Sequence, residues 1–352
     1  MIVARLILGL ALIIAPANVH AETPANGASL RKVPFSALKG WETDDHAAAL
    51  RAFQKTCSKA RTAHFFDADV WKPICHIAKS NPDAKQFFET LFHPVLVGEE
   101  TSAKFTGYYE PEIAGSRMRG GKYQYPIYRM PPEIKQGEVW KTRAEIQTGI
   151  LDGRGLEIAY LDDPVEAFFL QIQGSGRIKF PNGTGIRVGY AGFNGHKYKS
   201  IGKELVRRGT MNLHQVSAQK IKNWVRKNPA AGNELLAHNP GFVFFREIKS
   251  LNKNDGPIGA MQVSITPERS IAVDPIYTPL GAPVWIDKRG RDPMRRLMIA
   301  QDVGSAIKGL QRADIYYGTG KSAGKIAGRT RSSGRMFVLL PLEAVRRIFP
   351  EG

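Results

Sequence analysis

The sequence predicts a mainly β protein with accessory helices, and three observations support this fold class. After Lys104 the 352-residue chain breaks into short apolar or alternating runs separated by Gly, Pro and Asn, which is typical of many short strands. After Pro257 six such runs follow within about eighty residues. An open sheet of that kind would leave unprotected edges, so a small closed barrel is expected. Before Phe92 the apolar residues instead recur at helical spacing.

Residues 1–21 predict a secretory signal that is removed after Ala21. Arg5 precedes a Leu/Ile/Ala run of about ten residues, and Val19-His20-Ala21 gives the small-x-small cleavage pattern. A transmembrane helix is the alternative, but the run is shorter than the ~20 residues of a span, and Pro16 interrupts it. Because no cysteine lies near the cleavage point, no lipid anchor is expected. The mature chain is expected to be a soluble protein of the periplasm.

Helical segments are predicted on both sides of the first strands. Asp44 or Asp45 can cap a helix whose face carries Leu50, Phe53 and Cys57. Asn81-Pro82 forms a cap and first-turn pair for a second helix. A later helix, which should stop at Pro229, presents one apolar face made of Ile221, Trp224 and Val225.

Strands are predicted in two groups, separated by a hinge at Pro240–Pro257. The first group comprises FTGYYEPEI, YQYPIYR, AFFLQIQGSGRIKF and GIRVGYAGF. The second group begins with Met261–Thr266, which alternates strictly, and continues with SIAV, APVWI, RLMIA, ADIYY and MFVLL.

The two cysteines, Cys57 and Cys75, allow three interpretations. Export would place them where a disulfide persists, closing a loop worth roughly 3 kcal/mol. The alternatives are two buried free thiols, or a metal site that includes His64 and His76. The spacing lacks the Cys-x-x-Cys pair of common zinc sites, so no metal is expected.

Charge points to an anionic partner. Fifty Lys and Arg against 32 Asp and Glu give a net charge of +18, and removal of the signal with its single Arg5 leaves +17. Such a surface favours polyanions. An exported protein meets envelope polymers such as peptidoglycan before nucleic acid, and no nucleic-acid motif is present. A basic surface that serves only solubility is an equally ordinary explanation.

Asp302 and Asp314 form the strongest candidate for chemistry. They lie twelve residues apart in the glycine-punctuated segment AQDVGSAIKGLQRADIYYGTG, and Asp274 precedes them after another short strand. A carboxyl group against apolar surface has a raised pKa, which allows it to act as a general acid. We therefore predict Asp314 as the acid and Asp302 as its electrostatic partner. Spacing alone does not separate this from aspartates that cap turns, and Asp274 fits a structural role better.

Other residues suit the recognition of sugars. Glutamines, exposed backbone amides and aromatic rings bind sugar hydroxyls and ring faces. The predicted substrate-binding residues are Tyr108, Tyr109, Gln171, Gln173, Gly174, Ser175, Gly176, Tyr190, Asn194 and Asp274. Gln171 and Gln173 are expected to share one face of a strand. No nucleotide-binding or zinc-protease motif occurs, so no cofactor is expected.

These blocks resemble the membrane-bound lytic murein transglycosylase A family. The resemblance rests on FTGYYEPEIAGS, FFLQIQGSGRI, VGYAGFNGHKYKSIGK, NPGFVFFRE, GPIGAMQVSITPERSIAVDPIYTPLGAPVW and AQDVGSAIKGLQRADIYYGTGKSAGKIAGR. It implies a double-psi β-barrel, with a second, barrel-like β domain inserted into it and a substrate groove between the two. The implied division is 22–104 for an N-terminal helical segment, 105–250 for the insert, and 251–345 for the three-aspartate barrel segment.

The resemblance also implies an activity. Members cleave peptidoglycan between N-acetylmuramic acid and N-acetylglucosamine without water and leave 1,6-anhydro ends, and the single catalytic acid of the family falls on Asp314. The implied partner is the glycan strand, bound by a monomer that associates with murein or the membrane surface only peripherally. A non-catalytic cell-wall-binding barrel is the competing hypothesis.

Overall fold

The computed structural model describes residues 28–59, 68–100, 103–135 and 137–350. The predicted signal at 1–21 lies outside these ranges, as does His64 of the metal alternative. Within them no helix combines the length and apolar character needed to cross a membrane.

The described residues form fourteen strands and ten α-helices. The strands are β1 Leu30–Lys32, β2 Phe92–Val97, β3 Ala103–Glu110, β4 Glu112–Ser116, β5 Tyr125–Tyr128, β6 Glu157–Leu161, β7 Ser175–Lys179, β8 Gly185–Phe193, β9 Val243–Glu247, β10 Ser270–Val273, β11 Pro283–Lys288, β12 Met294–Val303, β13 Arg312–Thr319 and β14 Arg331–Pro341. The helices are α1 His46–Thr56, α2 Trp71–Lys79, α3 Ala84–Leu91, α4 Arg143–Glu145, α5 Pro164–Gln173, α6 Ile201–Arg207, α7 Ala218–Lys227, α8 Pro229–Ala237, α9 Gly320–Arg329 and α10 Leu342–Ile348.

Six strands close into a barrel. Their hydrogen-bonded order is β14, β11, β12, β10, β13 and β3, and β3 pairs again with β14. The pairs β10–β12 and β13–β3 are parallel, whereas the others are antiparallel. β2 and β1 continue the sheet from β14. The closed barrel confirms the predicted mainly β fold class.

Side-chain alternation along the barrel strands separates an interior from an exterior. Phe105, Ile286 and Ile315 belong to the interior cluster. Trp285 and Leu297 alternate with interior residues of their own strands, so they point outward and pack with the apolar faces of α1, α2 and α3. The N-terminal helices therefore cover one side of the barrel.

A second sheet is inserted in the chain between barrel strands β3 and β10. Its order is β5, β6, β4, β7, β8 and β9. The outward side chain of Glu110, at the end of β3, forms ion pairs with Arg177 of β7 at 2.8 Å and Arg187 of β8 at 3.2 Å. Glu110 is fully buried. This ionic cluster joins the barrel to the second sheet, and the chain leaves the barrel only after Glu110.

Helix predictions near the N-terminus hold with one change. Asp45 caps α1 by accepting from Ala48 N at 2.9 Å, and Leu50 and Phe53 are buried as expected. The helix predicted to start at Asn81-Pro82 is α3. It is capped by Asp83 instead, because Asp83 can accept a hydrogen bond from a first-turn amide.

The disulfide interpretation is confirmed. Cys57 and Cys75 are bonded, with their Cα atoms 5.3 Å apart. The bridge ties the end of α1 to α2 beside the outer face of the barrel. The free-thiol and metal interpretations of these cysteines are wrong.

Three strand and loop predictions are wrong. AFFLQIQ forms α5, because Asp163 caps the helix with Pro164 in its first turn, and Gly174 ends it at φ +75°. Met261–Thr266 is a loop with one bridge, from Ser264 to Ile258, so β3 and not this segment supplies the sixth barrel strand. The predicted hinge at Pro240–Pro257 contains β9.

The helix predicted to stop at Pro229 is present as α7, but Pro229 has a second role that was not predicted. Ile221 and Val225 of α7 are buried as predicted, and α7 ends before Pro229. Pro229 then begins α8, since proline at a first helical position loses no hydrogen bond.

Candidate active site

Asp302 and Asp314 come together through β10, the strand between them. Ala272 of β10 is the register partner of Asp302 on β12 and also of Asp314 on β13. Two strand spacings separate the aspartates, which places their Cα atoms roughly 10 Å apart. The register of β10 with β12 shifts at this point, since Ile271 pairs with Ala300 and Ala272 pairs with Asp302. Gln301 is thus the extra residue of a bulge, a device that re-aims the side chain that follows.

Asp314 lies on the outer face of β13, partly accessible to solvent. Thr106, its register partner on β3, donates a hydrogen bond to Asp314 Oδ1. Arg312 Nη2 donates in turn to Thr106 Oγ1 at 2.7 Å. Burial raises the pKa of Asp314, while the Thr106 hydrogen bond and the Arg312 charge oppose that rise. The group is therefore easier to keep protonated than an ordinary aspartate, and a cation stands near to stabilise its ionised form.

Asp302 is held by three donors. Its Oδ2 accepts from Tyr108 Oη at 2.9 Å, and its Oδ1 accepts from Ala260 N and Val303 N, each at 2.9 Å. Burial raises the pKa of Asp302 to about 6, and the charge of Asp314 adds a smaller upward contribution. Burial, rather than mutual repulsion, is the main cause of the raised pKa of both carboxyl groups.

Asp274 stands apart from this pair as a loop support. It is buried, its Oδ2 accepts from Gly309 N at 2.8 Å and its Oδ1 accepts from Ile276 N at 3.3 Å. Lys308 Nζ lies 3.8 Å from Asp274 Oδ1. The carboxylate thus ties the turn after β10 to the loop before β13, in line with the structural role that its sequence context favoured.

The two adjacent tyrosines point to opposite faces of β3. Tyr108 shares the outer face with Thr106, and its ring lies 5.4 Å from the ring of Tyr316, centroid to centroid. Tyr109 packs with the interior cluster and against Gly324 of α9. Only Tyr108 of this pair therefore contacts the two-aspartate site directly.

The two predicted glutamines also differ. Gln173, partly exposed, accepts from Tyr109 N at 3.0 Å and connects α5 to β3. Gln171 is buried, where its Oε1 accepts from Arg143 Nη2 at 2.6 Å and from Val243 N at 3.3 Å. The expectation that both lie on one face of a strand is wrong, because the segment is helical.

The remaining predicted substrate-binding residues divide between structural and exposed positions. Asn194 is fully buried; its Nδ2 donates to the carbonyls of Lys141 and Pro240, and its Oδ1 accepts from Phe242 N. Gly174 ends α5, and Ser175 and Gly176 are buried at the start of β7. Tyr190 is 49% exposed on β8, so its ring is available to a ligand.

Three parts of the site were not predicted from the sequence. Thr106 lies in a segment singled out for its tyrosines, and its hydroxyl becomes significant only through the parallel pairing of β3 with β13. Arg312 precedes Asp314 by two residues and could have been noted. The loop 257–269, which contains the segment Met261–Thr266 predicted as a strand, packs on Asp302: a Cβ at Gly259 would lie 2.7 Å from Gln301 O, so only glycine allows this approach.

The fold and site define the chain as a β-barrel protein that carries a pair of partly buried carboxyl groups on the barrel exterior. Comparisons with known proteins agree with this class. Residues 104–246 match the description "MltA specific insert domain", and residues 269–340 match "3D domain". The chain belongs to the membrane-bound lytic murein transglycosylase A family.

Individual relatives carry the same family name. The Escherichia coli K12 protein is 39% identical over 259 residues, which cover 70% of this chain and 68% of the relative. The Agrobacterium tumefaciens crystal structure superposes with a TM-score of 0.83 at 32% identity, covering 91% of this chain and 99% of that one. The E. coli structure with bound chitohexaose gives a TM-score of 0.70 at 31% identity, covering 92% and 95%.

Proposed function

We propose that this chain is a peptidoglycan lytic transglycosylase in which Asp314 serves as both acid and base. It cleaves the β-1,4 bond between N-acetylmuramic acid and N-acetylglucosamine and leaves a 1,6-anhydro end. The observation that carries the proposal is the state of Asp314, a partly accessible carboxyl whose pKa burial raises. Such a group keeps its proton to a higher pH than an ordinary aspartate and can deliver it to a glycan on the barrel surface.

The reaction needs one proton carrier. Protonated Asp314 donates to the glycosidic oxygen as the bond to C1 of the muramic residue breaks. The resulting carboxylate then accepts the proton of the C6 hydroxyl on the same sugar while that oxygen bonds to C1. Attack from within the same residue is an intramolecular advantage and requires no activated water. A second carboxylate that activates water, as in inverting glycosidases, is therefore not needed.

The neighbours of Asp314 suit this cycle. Arg312 and Thr106 stabilise the carboxylate that forms after proton donation. Asp302, fixed by Tyr108 and two backbone amides, keeps a second acidic group beside the site and adds negative potential where an oxocarbenium-like state develops. Exposed Tyr190 offers a ring face for a sugar.

The cellular setting is part of the proposal. The predicted signal at 1–21 supports export to the periplasm, where peptidoglycan is the polymer at hand. The net charge of +18 supports peripheral association with murein or an anionic membrane surface. We propose that the enzyme acts as a monomer.

Product analysis tests the proposed function. Purified murein sacculi digested with the protein should yield muropeptides that end in 1,6-anhydro-muramic acid, lighter by one water than the hydrolysis products. Reducing ends would indicate a hydrolase. Binding to sacculi without release of any fragment would favour the competing hypothesis of a cell-wall-binding barrel.

A further inference from the structure

A cavity of about 460 Å³ lies between the end of β9 and the loop that supports Asp302. Arg246, Lys249 and Gln262 line it, together with Lys59. Arg246 Nη2 donates to Gln262 Oε1 at 3.0 Å, so a strand of the second sheet and the barrel loop meet there. The cavity therefore borders both halves of the protein.

The lining of this cavity carries an excess of positive charge. In the ranges that the structure describes, no carboxylate lies within ion-pair distance of Arg246, Lys249 or Lys59. The one acid of the lining, Glu247, forms ion pairs with Arg117 at 2.7 Å and Arg129 at 3.4 Å, and the charge of Lys249 makes a smaller contribution to lowering the pKa of Glu247. Three cations thus line a space in which a neutral sugar chain would offer them no opposite charge.

The cavity is close to the candidate reaction centre. Ala260 N donates to Asp302 Oδ1, and Gln262 follows two residues later, which places its Cα within about 7.6 Å of the Ala260 Cα. Gln262 adopts φ +56°, a left-handed conformation that is uncommon for a residue other than glycine and that clusters at functional sites.

We infer that this cavity binds carboxylates of the peptide stem carried by a muramic residue next to the scissile bond. The inference rests on the proposed function, because it assumes a glycan strand across Asp314. A stem leaves the sugar through its lactyl group and bears free carboxylates, and three extended residues span about 10 Å. Arg246 offers a carboxylate a planar pair of donors, and Lys249 adds a point charge.

The direct test compares two substrates. The double variant Arg246→Gln/Lys249→Gln and the wild type are assayed on glycan strands that carry stems and on strands from which an amidase has removed them. The expected result is a fall in kcat/KM of about tenfold on stem-bearing strands, with activity on denuded strands within about twofold of wild type. Equal losses on both substrates, or no loss on either, would overturn the inference.

A matched control removes the same charges elsewhere. Lys39→Gln/Arg291→Gln deletes one Lys and one Arg from exposed positions away from the cavity. It should leave both activities unchanged. If it reproduces the selective loss on stem-bearing strands, the effect belongs to overall charge, and the cavity assignment fails.

Peptide binding separates this inference from the proposed function. A soluble, acidic stem tetrapeptide is titrated into the wild-type chain and the double variant by calorimetry. We expect the Kd to rise about tenfold in the double variant and to rise in the wild type with ionic strength. If the wild type forms no anhydro ends, the proposed function fails, while the titration still decides the inference. A Kd that is the same in both proteins, or the absence of binding, contradicts it.

Discussion

Replacing Tyr108 with Phe should raise the pKa of Asp302. The tyrosine hydroxyl donates to Asp302 Oδ2 at 2.9 Å, and this hydrogen bond is the strongest of the contacts that oppose the effect of burial on the pKa. The ring itself remains packed beside Tyr316, with centroids 5.4 Å apart. The substitution therefore removes one donor from the carboxylate and leaves the packing of the site in place.

The size of the change follows from the contact. A hydrogen bond to a charged group contributes about 1.5–3 kcal/mol, and one pKa unit corresponds to about 1.36 kcal/mol. Loss of this donor should thus raise the pKa by about one to two units, from about 6 to about 7–8. At pH 7 Asp302 would change from mostly ionised to at least half protonated.

The assay is a titration of the aspartate carboxyl carbons by NMR in wild type, Tyr108→Phe and Tyr109→Phe. Tyr109 is the matched control, because the same hydroxyl is removed one residue later, on the opposite face of β3. Only Tyr108→Phe should show the upward shift. A pKa that stays near 6 in Tyr108→Phe, or that rises equally in Tyr109→Phe, would refute the reasoning.

Three further predictions concern stability. Burial raises the pKa of Asp302 from 3.8 to about 6. Between these pH values the native chain binds more protons than the unfolded chain, so it loses stability as pH rises. Asp302→Asn should therefore increase the free energy of unfolding by up to about 3 kcal/mol at pH 7 and hardly change it at pH 3. Equal effects at both pH values in denaturant titrations would contradict this. Replacing Cys57 and Cys75 with Ser should cost about 3 kcal/mol of unfolding free energy, and reductant should destabilise only the wild type. Glu110→Gln should lower stability by about 3–5 kcal/mol, because Arg177 and Arg187 are left without their buried partner. Adding Arg177→Gln should restore part of the loss, and a melting temperature like wild type in Glu110→Gln would contradict the role of this ionic cluster.

The barrel was predictable from sequence because its strands carry strong local signals. SIAV, APVWI, RLMIA, ADIYY and MFVLL combine β-branched or aromatic residues with turn residues at their ends, and each contains the core of an observed strand. The sixth strand was misassigned for a physical reason. Met261–Thr266 alternates like a strand but finds no neighbour to form a ladder, whereas β3 gains two, β13 and β14.

The helix α5 was also wrongly predicted as a strand, for a different reason. Its sequence is apolar nearly all round because it is buried on two sides, with Leu170 in the core of the second sheet and Phe168 against α6, α7 and α8. A short apolar run of that kind does not reveal its period. The capping residues Asp163 and Pro164 were the available signal.

The two aspartates were found from sequence, but their relation was not. Their separation is set by the intervening strand β10 and by a bulge at Gln301, neither of which local spacing encodes. Two of the three donors to Asp302 come from Tyr108 and Ala260, which are distant in sequence. Tertiary pairing alone distinguishes this site from two turn caps.

The most direct test of the central claim is the activity of Asp314→Asn on purified murein. The amide keeps the size of the side chain and can still accept from Thr106, but it cannot carry the proton. We predict that anhydro-ended products disappear while binding to sacculi in a sedimentation assay stays at the wild-type level. Asp302→Asn is the parallel variant and should retain measurable turnover. Anhydro products at the wild-type rate from Asp314→Asn would contradict the assignment of Asp314 as the acid and base.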